Sequence, residues 1–275
     1  MEIQCIALDL DRTTLNSSGN LSDGNRQALE AVIAKGIHVV IASGRAFATL
    51  PAEILAVRGI EYAITSNGAA VYHVPSGRCL HRYLLTPKSV EQILELTREE
   101  PISYEGFVEG RAYAAADYVR DPVRFGATPA AVGYVQRTRH LEEDIVGFLR
   151  AHLHELDSVD LVVRTEADKN RLWRLLQEAV PDVYITSSVR QLLEISHRNA
   201  GKHSGLRFVL ERLGLPREAA AAFGDADNDA DLLAYAGCGI AMANASPSCL
   251  AAADAVTRSN DDDGVAWGIR EILHL

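Results

Sequence analysis

Short apolar runs that each lead into an amphipathic, helix-length segment recur at both ends of this chain, and that alternation is what most limits its fold. In the first run, "IALDLDRTTL", the apolar part leads to "SDGNRQALEAVIAKG". There Ser22 is placed to cap a helix to about Lys35, with Ala28, Leu29, Val32 and Ile33 on one face and Gly36 as the stop. "IHVVIASG", the helix-like "LPAEILAVRG" and "YAITSNG" follow. Strand, helix, strand, helix, strand in that order predicts a parallel sheet with crossover helices. The rhythm returns from about Gln191 with "LLEIS", a helix over 202–213, "AAAAFGD", a helix near Asp229 to Tyr235, "GIAM", a short helix near Pro247 to Ala252, "DAVT" and a last helix near Val265 to Leu273. A doubly wound α/β core is therefore expected from residues 1–84 and 190–275.

Between these halves the pattern changes. Two β-rich pieces flank Pro75, Ser76 and Gly77, a hairpin signal rather than a crossover. The stretch 85–189 then reads as a helix near Lys88 to Glu99, a hairpin at "SYEGFVEGRAYAA", a helix near Leu141 to Leu153, the strand "VDLVVRT", a helix near Lys169 to Ala179 and the strand "VYIT". Mixed elements of this kind predict an inserted α+β domain with an antiparallel sheet. A length of 275 residues suits two domains, or one with an insertion. The hydrophobic share of 48% and charged share of 23% exclude a disordered or fibrous chain. A formal net charge of -10 argues against nucleic acid or an anionic membrane as the main partner. No apolar stretch approaches the ~18 residues that span a bilayer, and "MEIQC" opens with an acid where a signal peptide carries a base. The cytoplasm is the expected compartment, and no obligate protein partner is evident. Cys5, Cys79, Cys238 and Cys249 lack CxxC spacing and read as reduced.

In open α/β sheets ligands bind beyond the carboxyl ends of the strands, so the chemistry should lie there. At the first strand's exit a side-chain period of two turns Asp9 and Asp11 to one side and Leu10 away, making an anionic corner. "AAAAFGDADNDADLL" ends another strand in Asp225, Asp227, Asn228, Asp229 and Asp231. Hard oxygen donors in such a cluster suit Mg²⁺ together with a substrate phosphate. "VVIASGR" offers the Ser43 hydroxyl and loop N–H groups at Gly44, and Lys202 adds a positive charge at a helix start. Each piece alone fits a solvated turn or an ordinary helix start. Together they form a phosphoryl-transfer constellation. Asp261 to Asp263 read as a solvated helix entry. His152 and His154, two apart on a helix, diverge too far to share zinc. "ASGRA" is no GxSxG elbow, and neither GxGxxG nor GxxxxGK[ST] occurs at a strand-to-helix turn.

Asp9 to Thr13, Ser43 to Arg45, Asn67 to Ala69, Lys202 and "GDADND" at Gly224 to Asp229 resemble, in order, the motifs of the haloacid dehalogenase superfamily. They are similar in particular to its Cof-like Mg²⁺-dependent phosphatases, with "AMANAS" and "SNDDDGVA" in matching places. The resemblance covers the core and is weak in the insert, which by position matches the family's mobile cap.

This resemblance implies hydrolysis of small phosphorylated metabolites, sugar phosphates foremost, through an aspartyl phosphate. Asp9 would be the nucleophile, and Asp11 the acid for the departing alkoxide and then the base for water. Mg²⁺ would be held by the Asp9 carboxylate, the Asp11 carbonyl and Asp225, with Asp229 supporting from behind. Phosphate would meet the Leu10 backbone, Ser43, Gly44, Lys202 and Asn228. The cap would supply specificity, for which Tyr104, Glu105, Arg111 and Tyr113 are candidates on a hairpin edge. Arg12 departs from the pattern, which usually has glycine there. It motivates a second class of function, a ligand sensor without turnover; a phosphomutase is the third alternative.

Overall fold

The runs Cys5–Leu8 and Ala220–Gly224 have no polar face, so both sides of the sheet that holds them must be covered. A computed structural model describes residues 2–275 and shows how this is done. Chain order runs β1 (Cys5–Leu8), β2 (His38–Ala42), β3 (Ile60–Thr65), β4 (Ala70–His73), β5 (Arg78–Arg82), β6 (Ser103–Val108), β7 (Arg111–Ala115), β8 (Arg139–Glu142), β9 (Leu156–Val162), β10 (Val183–Thr186), β11 (Leu192–His197), β12 (Ala220–Gly224), β13 (Cys238–Ala241) and β14 (Ala255–Val256). One sheet has the order β14-β13-β12-β1-β2-β3-β4-β5 and the other β10-β11-β9-β6-β7-β8. In the first, β14 to β3 pair in parallel and β4 turns back against β3. The doubly wound α/β core is thus present, with the expected hairpin as its antiparallel edge.

Helices complete the layers where the sequence marks them. Ser22 Oγ accepts the Asn25 N–H at 3.1 Å to cap Asp23–Ala34, and Ser246 does the same for Pro247–Ala252 through Cys249 at 3.3 Å. Among the described residues no helix is long and apolar enough to cross a membrane. The cysteines are free, with Cys5 and Cys249 buried.

The chain divides into two compact units, the first made from residues up to Arg45, Leu50–His81 and Gly201–Leu275, the second from Ala46–Thr49 and Arg82–Ala200. The short stretch Ala46–Thr49 is anchored in the second unit: Ala46 packs on Phe107 and Ala112, and the Ala48 N–H donates to the Gly110 carbonyl at 2.9 Å. The second sheet is antiparallel except for β7 with β8.

Three details differ from the sequence reading. "LLEIS" is β11 of the second sheet, paired antiparallel with β9, and does not resume the core. Its Glu194 and Ser196 alternate with Leu193 and Ile195, a two-faced strand unlike the continuous apolar runs of the core. Leu141 lies in β8, so the helix expected from there begins at Ile145. The short helices Ala116–Arg120 and Val132–Thr138 went unread because Pro122, Gly126 and Pro129 break up the stretch between them.

Candidate active site

β1 and β12 are neighbouring parallel strands with Leu8 opposite Phe223, and the Asp9 N–H extends the ladder to the Phe223 carbonyl at 3.0 Å. Their carboxyl ends therefore leave the sheet side by side, which is what brings Asp9 and Asp225 together. Asp9, Asp225 and Asp229 each offer an oxygen within 4.8 Å of the others, and they are 5%, 5% and 0% exposed. Gly224 makes the approach of Asp229 possible: a Cβ there would lie 2.4 Å from the Asp229 Cβ. Asp229 Oδ2 then accepts the N–H groups of Asp225 and Ala226, both at 3.1 Å.

Lys202, the first residue of the helix Lys202–Leu213, is buried between two of these acids. Its ammonium donates to Asp9 Oδ1 at 2.7 Å and to Asp229 Oδ1 at 2.6 Å. The helix start is seated by the turn after β3, where the Gly201 N–H donates to the Asn67 carbonyl at 2.9 Å. Gly68 has φ +87°, and a Cβ on it would stand 2.0 Å from the Gly201 carbonyl oxygen. Asn228 joins the same turn, its Nδ2 donating to Asn67 Oδ1 at 2.9 Å. Thr13 Oγ1 donates to Asp225 Oδ1 at 2.8 Å.

Three carboxylates facing one ammonium leave buried negative charge unbalanced. Burial, then Asp229, pushes Asp9 well above the usual carboxylate range despite Lys202. The same two causes push Asp225 up to about 7. Burial works against the Lys202 ammonium, yet Asp229 and Asp9 outweigh it and raise that group. Both Asp229 oxygens are engaged, whereas the hydrogen bonds to Asp9 and Asp225 fall on Oδ1, leaving Oδ2 of each for a cation. An all-oxygen, dry and negative donor set fits a hard divalent ion such as Mg²⁺.

The unbalanced charge has a measurable consequence. Asp225 is raised in the folded chain, so its contribution to stability is fully present below the unfolded carboxylate range and lost as pH rises through about 7. In EDTA, thermal unfolding should show Tm falling between pH 5 and pH 8, with a shallower fall in Asp225→Asn.

Asp11 does not share the corner with Asp9. The strand ends at Leu8, so the period of two no longer holds; Asp9, just before the wide turn Leu10–Thr14, is buried, and the Asp11 side chain within that turn is exposed. Asp11 forms an ion pair with Arg45 instead. Leu10 and Ser43 each lie two residues beyond the β1–β2 pair Leu8 with Ile41, and both are buried. Ser43 Oγ accepts the Arg45 N–H at 3.2 Å, with the half-buried Gly44 between them.

Arg12 takes φ +62°, ψ 12°, the left-handed region that a glycine enters freely, and its carbonyl accepts Asn244 Nδ2 at 2.9 Å. Arg12→Gly should raise stability in urea unfolding by about 1 kcal/mol, the strain of a side chain in that region. Thr13 and Arg45 are site neighbours to which no local sequence signal gives a role. Asp227 is exposed and accepts hydroxyls from Ser246 and Ser248, and Asp231 is also exposed. Asp261 accepts from Ser17 and Asp263 from Ser22, so the acidic "NDDD" ties loops together.

In the second unit, none of the four hairpin candidates is on an edge strand, since β6 lies between β9 and β7, and β7 between β6 and β8. The Tyr104 hydroxyl is buried against Thr97 Oγ1 at 2.7 Å, and Glu105 is buried in the fork of Arg139. Tyr113 is half-buried beside Phe148 and His140, and Arg111 is exposed.

Residues 6–269 match the family model for haloacid dehalogenase-like hydrolase. The chain is 31% identical over 287 residues to phosphatase YwpJ of Bacillus subtilis, covering 98% of this chain and 100% of that one. It is 26% identical to the B. subtilis 5-amino-6-(5-phospho-D-ribitylamino)uracil phosphatase YitU, over 98% of this chain and 97% of YitU. Among solved structures, a haloacid dehalogenase-like hydrolase from B. subtilis superposes with a TM-score of 0.85 at 28% identity, covering 98% of this chain and all of that one. With the motifs, the sheet order and the buried acids at its switch point in agreement, the chain belongs to the haloacid dehalogenase-like hydrolases.

Proposed function

We propose that this enzyme is a Mg²⁺-dependent phosphatase of small phosphorylated metabolites, sugar phosphates foremost, working in the cytoplasm through an aspartyl phosphate on Asp9. The observation that carries the reading is the meeting of Asp9, Asp225 and Asp229 around the Lys202 ammonium at the switch point of the sheet. Asp9 Oδ1 is already held by Lys202, which orients the carboxylate for attack on phosphorus. The P–O bond to the substrate oxygen breaks as the Asp9–phosphorus bond forms. Asp11 gives its proton to the departing alkoxide, and as a carboxylate takes one from the water that hydrolyses the intermediate. Thr13 fixes Asp225, and Asp229 fixes Lys202 while accepting two backbone N–H groups. When bound by Asp9, Asp225 and the Asp11 carbonyl, Mg²⁺ offsets the phosphoryl oxygens' charge. Leu10 and Gly44 would offer backbone N–H groups to the phosphate, and Ser43 and Asn228 their side chains. YitU, by its name, acts on a phosphorylated ribityl chain, which favours polyhydroxylated monoesters as the substrate class.

The test is release of inorganic phosphate from p-nitrophenyl phosphate and a panel of sugar phosphates, with Mg²⁺ and with EDTA. Metal-dependent release is the expected outcome. Binding without release anywhere in the panel would identify a sensor, and an isomeric product without free phosphate would identify a mutase.

A further inference from the structure

Asp11 is the one expected reacting group that the buried cluster does not hold. It is gripped from another strand end: Arg45 Nε donates to Asp11 Oδ2 at 2.8 Å and Nη2 to Asp11 Oδ1 at 2.7 Å. The Arg45 side chain is 13% exposed and that of Asp11 55%. Arg45 is also fixed through its backbone, its N–H donating to Ser43 Oγ at 3.2 Å and its carbonyl accepting the Ser66 N–H at 2.9 Å. An ion pair between two mobile surface side chains contributes little, because both lose rotamer freedom. Here the Arg45 backbone is held and its side chain is mostly buried, so the planar fork fixes the orientation of Asp11 at smaller entropic cost.

We infer that Arg45 is a positioning residue for Asp11, aiming its carboxyl group at the leaving oxygen. The inference rests on the proposed function, in which Asp11 is the acid. A carboxylate has about four lone-pair sites, and the fork uses one on each oxygen, so each oxygen keeps a second site at which the transferable proton can sit while the group stays held. Proton transfer needs a heavy-atom separation of about 2.6–3.2 Å, which a half-exposed carboxyl group without the fork would reach in only a fraction of its rotamers. The effect should therefore grow with the basicity of the leaving group. Phenoxide needs a proton as it departs far more than p-nitrophenoxide does.

The measurement is kcat/KM for p-nitrophenyl phosphate and phenyl phosphate in the wild type, Arg45→Met, Arg45→Lys and Asp11→Asn, all with Mg²⁺. Both esters offer the same phosphoryl group, so their ratio isolates the leaving-group step from binding and folding. Arg45→Met should lose about 10-fold more on phenyl phosphate than on p-nitrophenyl phosphate, part of the general-acid contribution. Arg45→Lys, a point charge without the fork, should recover part of that difference. Equal losses on the two esters in both Arg45 variants would overturn the inference while leaving Asp11 as the acid, provided Asp11→Asn still discriminates. An Asp11→Asn variant that loses equally on both esters would instead overturn the acid assignment beneath it.

Discussion

Asp9→Asn lowers kcat for p-nitrophenyl phosphate by about 10⁴-fold or more, the scale seen when a covalent nucleophile is removed. The fold survives, because asparagine keeps an Oδ1 that can accept from Lys202 and loses a charge that burial, Asp229 and Asp225 all disfavour. Tm measured alongside should move by no more than about 4 °C. Full turnover in a folded Asp9→Asn protein would end the aspartyl-phosphate reading, whatever the metal dependence.

Lys202→Met is the largest expected change in stability. Lys202 is buried and bonded to two buried carboxylates, so its removal leaves charge in a dry site with no counter-ion. Breaking a buried pair from one side costs about 3–5 kcal/mol. Denaturant unfolding in EDTA at pH 8 should read that deficit. On acidification it should narrow, because Asp9, already raised by burial and its neighbours, takes up a proton and needs the ammonium less. Lys202→Met combined with Asp229→Asn should be more stable than Lys202→Met alone, since one stranded charge goes with the lysine. A Lys202→Met protein as stable as the wild type at pH 8 would mean that the ammonium and the acids are not neighbours.

The parts of this molecule legible in the sequence are those governed by short-range rules. Apolar runs such as Cys5–Leu8 and Ala220–Gly224 announce parallel core strands, and Ser22 announces a helix start. The convergence of Asp9 and Asp225 was readable too, since strand ends gather ligands. What stayed hidden depends on where a rule stops applying. Asp9 and Asp11 were expected on one side because strand geometry was carried past Leu8, where the chain had already left the strand. The apolar residues of β11 resemble a core strand, and only the alternation with Glu194 and Ser196 marks it as two-faced. The grip of Arg45 on Asp11 links two loops 34 residues apart, and no local pattern encodes it. Tyr104 and Glu105 looked like edge residues because a hairpin was recognised without its neighbours β9 and Arg139.

The detour of Ala46–Thr49 bears on any attempt to exchange the second unit between relatives. Lifted out as a single cassette of residues 82–200, that unit would leave behind two alanines on which its own interior depends. The graft would carry a Gly110 carbonyl deprived of the Ala48 N–H and a gap beside Phe107 and Ala112 where the Ala46 methyl belongs. A chimera that transplants both stretches from one donor keeps these contacts, so modular recombination in this protein exchanges two segments in place of one.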